Sequence, residues 1–168
     1  MPYQFDVLNW LNKHFNNVPD FNRDEINSVT DFSLMWNLLE NELGNNQMSI
    51  DQLGVIARTI AVKPNCNDFY QPYLTYFQNR YITQNNTNNI FENLLFRRND
   101  KKEFVADVLK GNLTNPQEII EAILIIIYRF RNNLFHGEKE LHNIHTQYNN
   151  FNMANKFLAH ILTINKTP

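Results

Sequence analysis

The sequence predicts an all-α fold, an antiparallel bundle of helices that forms one domain over residues 1–168. The chain has 168 residues, 43% of them hydrophobic, which is enough for a single core. It contains four glycines and six prolines, with the prolines near segment boundaries, so the regular turns of a β-sandwich or barrel are missing. Apolar residues instead recur at steps of three and four, the spacing of one helix face.

Three helices are predicted in the first part of the chain. Residues 3–15 carry apolar side chains at helical steps. Thr30 is predicted to cap a helix over residues 31–43, because its short side-chain oxygen can accept a hydrogen bond from the first turn. The third helix begins at Ser49, where Ser49 and Gln52 form the pattern of a capping box.

The middle of the chain is predicted to alternate helices with polar connections. Residues 63–68 are loop-like, and residues 69–82 form an aromatic-rich helix with Pro72 in its first turn. Polar residues 84–89 end this helix. Residues 90–96 then form a shorter helical segment.

The longest helix is predicted at residues 117–136. Pro116 precedes it, and acidic residues in its first two turns suit the positive end of the helix dipole. Before it, residues 97–102 form a charged connection to a helix that ends near Gly111. After it, a last helix covers residues 150–164.

Charge is unevenly distributed along the sequence. The formal net charge is −2, which excludes an overall basic surface for duplex nucleic acid. Residues 1–127 hold 10 Lys and Arg against 15 Asp and Glu, whereas residues 128–168 hold 5 against 2, together with four of the five histidines. We therefore expect an anion-binding site in the C-terminal part of the chain.

Several function classes are excluded by what the sequence lacks. Cys66 is the single cysteine, which excludes an internal disulfide and a thiolate zinc site, and a reducing, cytoplasmic location is expected. The N-terminus has no export-signal pattern, and the longest apolar run is too short for a membrane span. There is no glycine-rich phosphate loop, nucleophile elbow or His-Glu-x-x-His motif, and no metal or cofactor is expected.

One constellation remains, at the end of the predicted longest helix. Asn132 follows Arg131, and Gly137 follows His136, within the run Arg-Asn-Asn-Leu-Phe-His-Gly. The Arg-to-His spacing is a weak signal alone, but the neighbouring residues make the set more specific. Residues 128–139 resemble the Arg-x4–6-His motif of the HEPN superfamily (higher eukaryotes and prokaryotes nucleotide-binding domain). In many members of this superfamily the motif begins Arg-Asn and ends His-Gly, as it does here.

This resemblance implies a fold, an activity and partners. The implied fold is a HEPN-type bundle, here with additional short helices, and family members are commonly homodimers. The implied activity is that of a metal-independent endoribonuclease, with RNA as substrate and Arg131, Asn132 and His136 as catalytic residues. Because many members act in toxin–antitoxin, abortive-infection and antiviral systems, we expect a defence or toxin-type effector, with an antitoxin or regulatory protein as a further partner. Residues 31–40 also look like a helix upstream of the motif in some prokaryotic members.

The chemistry of RNA cleavage gives each residue a role. Without a metal, the reaction needs a base near the attacking 2′-hydroxyl and an acid near the leaving 5′-oxygen. Two copies of His136 across a two-fold axis would supply both, and two copies of Arg131 would neutralise charge on the phosphorane oxygens. Asn132 would orient the phosphate or the histidine. Three further residues are predicted to support them: Glu40, Tyr128 and Arg129.

The helical pattern indicates where the second copy would lie. At about 100° per residue, five apolar residues fall within about 80° and define the face turned to the core. They are Ile119, Ile123, Ile127, Phe130 and Leu134. Ile125, Asn132 and His136 fall on the opposite side, with Tyr128 beside them. Apolar residues outside the core face predict a second buried surface, most simply a homodimer seam.

Plainer interpretations stay open for the same residues. Arg131 would then be a structural residue that pairs with a carboxylate such as Glu40. His136 would be an ordinary C-capping residue before Gly137. The chain would be an inactive HEPN-like module that binds nucleotide, RNA or a protein partner. His142 and His145 are spaced like metal ligands, but no nearby Asp or Cys completes a set.

A second basic cluster lies outside the motif. Its members are Arg97, Arg98, Lys101 and Lys102. They are candidates for contacts with RNA phosphates. Because Asp100 and Glu103 lie among them, a solvated loop is the favoured interpretation.

Overall fold

Helices make up nearly all of the regular structure. The structure is a computed structural model that describes residues 5–14, 22–45, 47–64, 66, 68–135 and 145–167. Within these residues there are eight α-helices and one short hairpin. The helices are α1 (Val7–His14), α2 (Arg23–Leu43), α3 (Ile50–Ala61), α4 (Gln71–Tyr81), α5 (Asn89–Glu92), α6 (Lys102–Leu109), α7 (Pro116–Phe135) and α8 (Tyr148–Lys166); the hairpin strands are β1 (Ile82–Thr83) and β2 (Asn86–Thr87). The predicted all-α class is confirmed.

Two contacts fix the relative direction of α2 and α8. The side-chain amide of Asn155 donates a hydrogen bond to the Ser28 carbonyl at 3.0 Å. The rings of Phe32 and Phe151 lie 5.0 Å apart. The chain therefore advances from Ser28 to Phe32 on α2 while it goes back from Asn155 to Phe151 on α8. This pair of helices is antiparallel, as predicted.

Helix α7 is the centre of the core. Helices α3, α4 and α6 pack against it, and its residues 122–127 are all buried. The expectation that Ile125 and Asn132 face away from the core is wrong, because they are 0% and 3% exposed within a single chain. For Ile125, the reason lies in the apolar run at residues 122–128: a helix that is hydrophobic on all sides is covered on all sides. Ile125 therefore gives no support to a homodimer seam.

The start of α2 also differs from the prediction. Asn22 caps this helix: its side chain accepts from the Glu25 backbone N–H at 2.9 Å, and the Glu25 side chain accepts from the Asn22 N–H at 3.0 Å. Thr30 lies inside the helix, where its hydroxyl donates to the Ile26 carbonyl at 3.0 Å. The predicted Thr30 cap is wrong because Asn22 and Glu25 form a reciprocal capping box upstream.

The middle of the chain follows the predicted boundaries more closely. Ser49 caps α3 by accepting from the Gln52 backbone N–H at 3.2 Å, and Pro72 lies in the first turn of α4. The predicted polar break at 84–89 holds the turn and second strand of the β1–β2 hairpin, while β1 begins at Ile82, the last residue predicted to be helical. The turn residues Gln84 and Asn85 have φ of 50° and 62°. Asparagine tolerates this left-handed conformation better than most residues.

The terminal predictions agree within the described residues. Residues 7–14 of the predicted 3–15 helix form α1, while residues 3, 4 and 15 lie outside the described part. The predicted 117–136 and 150–164 helices correspond to α7 and α8. The segment predicted at 90–96 ends earlier, because α5 stops at Glu92. Residues 93–101, which we call the α5–α6 loop, then lead into α6.

The α2 cap gives a direct test of this fold. Asn22→Ala should lower the free energy of unfolding by about 1 kcal/mol, because it removes the acceptor for the first turn. The matched control is Thr30→Ala, which removes a hydroxyl bonded only within the helix and should change stability by less than about 0.5 kcal/mol. Urea unfolding measures both. A larger loss for Thr30→Ala would contradict this assignment of the cap.

Candidate functional site

Arg131 and Asn132 occupy the last turns of α7 and contact each other. The Arg131 Nη1 donates to the Asn132 Oδ1 at 3.3 Å. Asn132 is 3% exposed, and Arg131 is half-buried. The guanidinium is therefore held beside a buried amide, and Arg131 is the one of the two side chains that remains partly open to an anionic ligand.

The structure describes the motif only through Phe135 and not its last two residues. The structure describes α7 up to Phe135. His136 and Gly137 lie outside the described residues. The predicted catalytic role of His136 therefore stays a prediction from the sequence.

Arg129, two residues before Arg131, lies in a buried hydrogen-bond network. Its side chain is 0% exposed and donates hydrogen bonds to three described residues. The Nη1 donates to the Asp100 carboxylate at 2.9 Å, and the Nε donates to the Leu94 carbonyl at 3.0 Å. The Nη2 donates to the Asn133 Oδ1 at 3.0 Å. A buried guanidinium needs such partners, because desolvation of an unpaired charge would be costly.

Asn133 completes this network and was missed by the sequence reasoning. It is fully buried, and its side-chain amide donates to the Leu94 carbonyl at 3.1 Å. The signal was its spacing of four residues after Arg129, which puts both side chains on one helix face. The two neighbouring asparagines thus differ, since Asn132 contacts Arg131 and Asn133 fixes the α5–α6 loop.

The network separates two arginines that the sequence places together. Arg129 was predicted to support the site, but its charge is paired with Asp100 inside the protein. In this arrangement it positions the α5–α6 loop against α7 and does not face solvent. Arg131 is the cation of this turn that remains partly exposed.

Tyr128 and Glu40 lie on different helices. Tyr128 is half-buried, and its ring lies 5.9 Å from that of Trp36 on α2. Glu40 follows Trp36 by one turn on the same face of α2 and is half-buried. Among the described residues, no ion pair joins Glu40 to Arg131, the pairing considered from the sequence.

The predicted basic cluster lies on the α5–α6 loop and the start of α6. Arg97 and Arg98 are exposed. Lys101 is bonded to Glu121 at 2.7 Å, and Lys102 to Glu92 at 2.7 Å.

Asp100 was one of the two carboxylates that favoured a solvated loop, and for this residue the interpretation is wrong. Asp100 is 5% exposed and pairs with Arg129. It also accepts from the Arg97 backbone N–H at 2.7 Å, which folds the loop back on itself. Asp100 therefore does not neutralise the exposed arginines beside it.

Metal and thiol chemistry find little support in the described part of the chain. There, no group of three or more His, Cys, Asp or Glu side chains is placed to hold a metal ion. His142 and the side chain of His145 lie outside the described residues. Burial, with a smaller effect of the Asp68 charge, raises the pKa of the Cys66 thiol, so its reactive thiolate form is disfavoured.

A helix that crosses a bilayer must be long and predominantly apolar. Among the described helices, none has the length and apolar character needed to cross a bilayer.

Comparisons with known proteins leave the family open. No known protein family, curated protein or solved structure matches this chain.

The Arg129 network predicts a large stability difference between two arginines. Arg129→Met should lower the free energy of unfolding by about 3–5 kcal/mol, because it leaves Asp100 buried without its cation. The matched control is Arg98→Met on the exposed side of the same loop, with an expected change within about 0.5 kcal/mol. Urea unfolding of both variants measures the contrast. Similar losses would rule out the buried network.

Proposed function

We propose that this chain is a metal-independent endoribonuclease of HEPN type, with Arg131 and His136 as its catalytic residues and Asn132 as the residue that positions Arg131. The observation that carries the proposal is the position of the motif. Arg131 and Asn132 contact each other at the C-terminal end of the most deeply buried helix, and His136 follows in the sequence. An all-α fold built around this helix is compatible with the resemblance.

The proposed reaction is an internal transesterification. The 2′-oxygen forms a bond to the adjacent phosphorus, and the bond from phosphorus to the 5′-oxygen breaks. One imidazole accepts the proton of the 2′-hydroxyl, and a second imidazolium donates a proton to the leaving 5′-oxygen. The products are a 2′,3′-cyclic phosphate and a free 5′-hydroxyl.

The cation for this reaction is Arg131. Negative charge builds on the non-bridging oxygens in the transition state, and a guanidinium stabilises it best through paired hydrogen bonds. Arg129 is paired with Asp100 within the protein, so the phosphate-binding role falls to Arg131. Asn132, held beside it at 3.3 Å, would orient the guanidinium toward the phosphate.

The need for two imidazoles is the argument for a homodimer. One histidine cannot stand on both sides of the phosphorus at once, so a second copy of His136 is required. Ile125 does not contribute to this argument, because it is buried within one chain. As a biological role, we propose a defence or toxin-type effector that cleaves cellular or phage RNA and is held in check by an antitoxin or regulatory protein.

Removal of the His136 or the Arg131 side chain should strongly slow RNA cleavage. Purified protein should cleave single-stranded RNA in EDTA, and His136→Ala or Arg131→Ala should each slow cleavage by about 100-fold or more, because each removes a group used in the transition state. His14→Ala and Arg58→Ala are matched controls, since both side chains are exposed on other helices and should leave the rate unchanged. Gel analysis of a labelled RNA measures the rates.

The same variants also test the effector role. Expression of the wild-type chain should impair growth, and both motif variants should relieve this effect. Equal rates and equal growth for all variants would overturn the nuclease and favour the inactive binding module.

A composite site predicts inhibition by inactive subunits. When the wild-type chain is co-expressed with a ten-fold excess of His136→Ala chain, about one wild-type chain in ten pairs with another wild-type chain. The cleavage rate per wild-type chain should therefore fall about ten-fold, because mixed dimers lack one imidazole. Sedimentation velocity confirms the mixed dimer. An unchanged rate per wild-type chain would exclude a site shared between two copies.

A further inference from the structure

The α5–α6 loop and the first turn of α6 line an open groove, and none of its lining residues belongs to the motif. Its volume is about 480 Å³, within the range of about 300–1,000 Å³ that is usual for small-ligand sites. The residues that line it are Phe96, Arg97, Arg98, Lys101, Lys102, Glu103 and Phe104. Space for one nucleotide unit is therefore present beside a dense set of cations.

The charge of this groove is opposite to that of the chain. Its lining carries four cations against one carboxylate, Glu103, in a protein of net charge −2. Lys101 pairs with the buried Glu121, and Lys102 pairs with the exposed Glu92. The pair formed by Lys102 is exposed on both sides and is weak in water, so a phosphate could replace Glu92. Arg97 and Arg98 are exposed on the loop itself.

Two aromatic rings line the groove together with these cations. Phe96 and Phe104 are both half-buried and line the groove. The Phe96 ring is braced by Phe91, with the ring centroids 5.0 Å apart. A base that is not paired in a duplex can stack on such a ring, whereas a phosphate alone or an acidic peptide gains nothing from it.

The groove is also rigidly built. The backbone at Leu95 and Lys101 is left-handed, with φ of 53° at each, a conformation that is unfavourable for residues with a side chain. The buried bonds of Arg129 to the Leu94 carbonyl and to Asp100 hold the loop in this shape. Because the loop is already ordered, a ligand would bind without the entropic cost of ordering it.

We propose that this groove binds single-stranded RNA, with phosphates on Arg97 and Arg98 and an unpaired base on Phe96. The combination of cations with aromatic rings in one short segment favours a single strand over a duplex, whose bases are stacked on each other. The choice of RNA over DNA rests on the proposed function. The groove would guide the substrate strand and is distinct from the catalytic residues.

Binding is measured with an RNA that cannot be cleaved. The probe is a fluorescein-labelled single strand of 12 nucleotides with 2′-O-methyl riboses. Because it lacks the attacking 2′-hydroxyl, its fluorescence anisotropy reports binding alone. Arg97→Glu with Arg98→Glu should weaken binding by about ten-fold or more and flatten the dependence of affinity on salt. The control pair, Arg23→Glu with Arg58→Glu, changes the net charge equally at exposed sites on α2 and α3 and should stay within about two-fold.

A second variant tests the aromatic contact. Phe96→Leu keeps an apolar side chain against the core but removes the ring, and it should weaken binding by about five-fold or more. Arg97→Gln with Arg98→Gln, which adds no repulsion, should lie between the wild type and the charge-reversed pair. Circular dichroism checks that each variant is folded.

The outcomes separate this proposal from the nuclease proposal. Three results would overturn the groove proposal. They are equal weakening of RNA binding by both charge-reversed pairs, equal affinity for a duplex of the same sequence, and equal competition by a poly-glutamate peptide. Selective binding by a wild-type protein that does not cleave RNA would support the groove and overturn the nuclease. Cleavage with an unchanged KM in the Arg97→Glu, Arg98→Glu variant would overturn the groove alone. Similar binding of the matching DNA strand would support the groove and remove the preference for RNA.

Discussion

The buried ion pair between Arg129 and Asp100 determines how the two proposed sites, the Arg131 turn and the basic groove, are held. A guanidinium and a carboxylate inside a protein lose their hydration, and they are stable there when the remaining donors and acceptors are also bonded. The Leu94 carbonyl and Asn133 satisfy Arg129, and the Arg97 backbone N–H satisfies Asp100. The same bonds fasten the α5–α6 loop to the last turns of α7. The basic groove and the Arg131 turn therefore share one rigid support.

This pair also changes the meaning of the charge pattern in the sequence. The positive balance of residues 128–168 includes Arg129, whose charge is cancelled by Asp100 from the acidic part of the chain. Conversely, Asp100 is buried, whereas its neighbours Arg97 and Arg98 are exposed cations within the acidic part of the chain, residues 1–127. Among the described residues, Arg131 is thus a partly exposed cation near the end of α7, and Arg97 and Arg98 are exposed cations at the groove. A weakly acidic protein can bind an anionic ligand when its cations are focused in this way.

The fold was largely predictable from the sequence, and the site only in part. Apolar periodicity, Ser49 and Pro72 located the helices, because these signals act within a few residues of one another. The burial of Ile125 depended on how many helices surround α7, which a single helix pattern does not contain. The pairing of Arg129 with Asp100 joins residues 29 positions apart. From the sequence, Asp100 looked like one more charge in a hydrophilic run, and only the tertiary structure shows that it is buried.

The end groups of cleaved RNA test the central claim most directly. The purified wild-type chain is incubated with a defined single-stranded RNA in EDTA, and the fragments are weighed by mass spectrometry. Attack by the 2′-hydroxyl predicts fragments that end in a 2′,3′-cyclic phosphate, with a free 5′-hydroxyl on the following fragment. Fragments with a 5′-phosphate and a 3′-hydroxyl would contradict this mechanism, as would cleavage that disappears when the chelator is added.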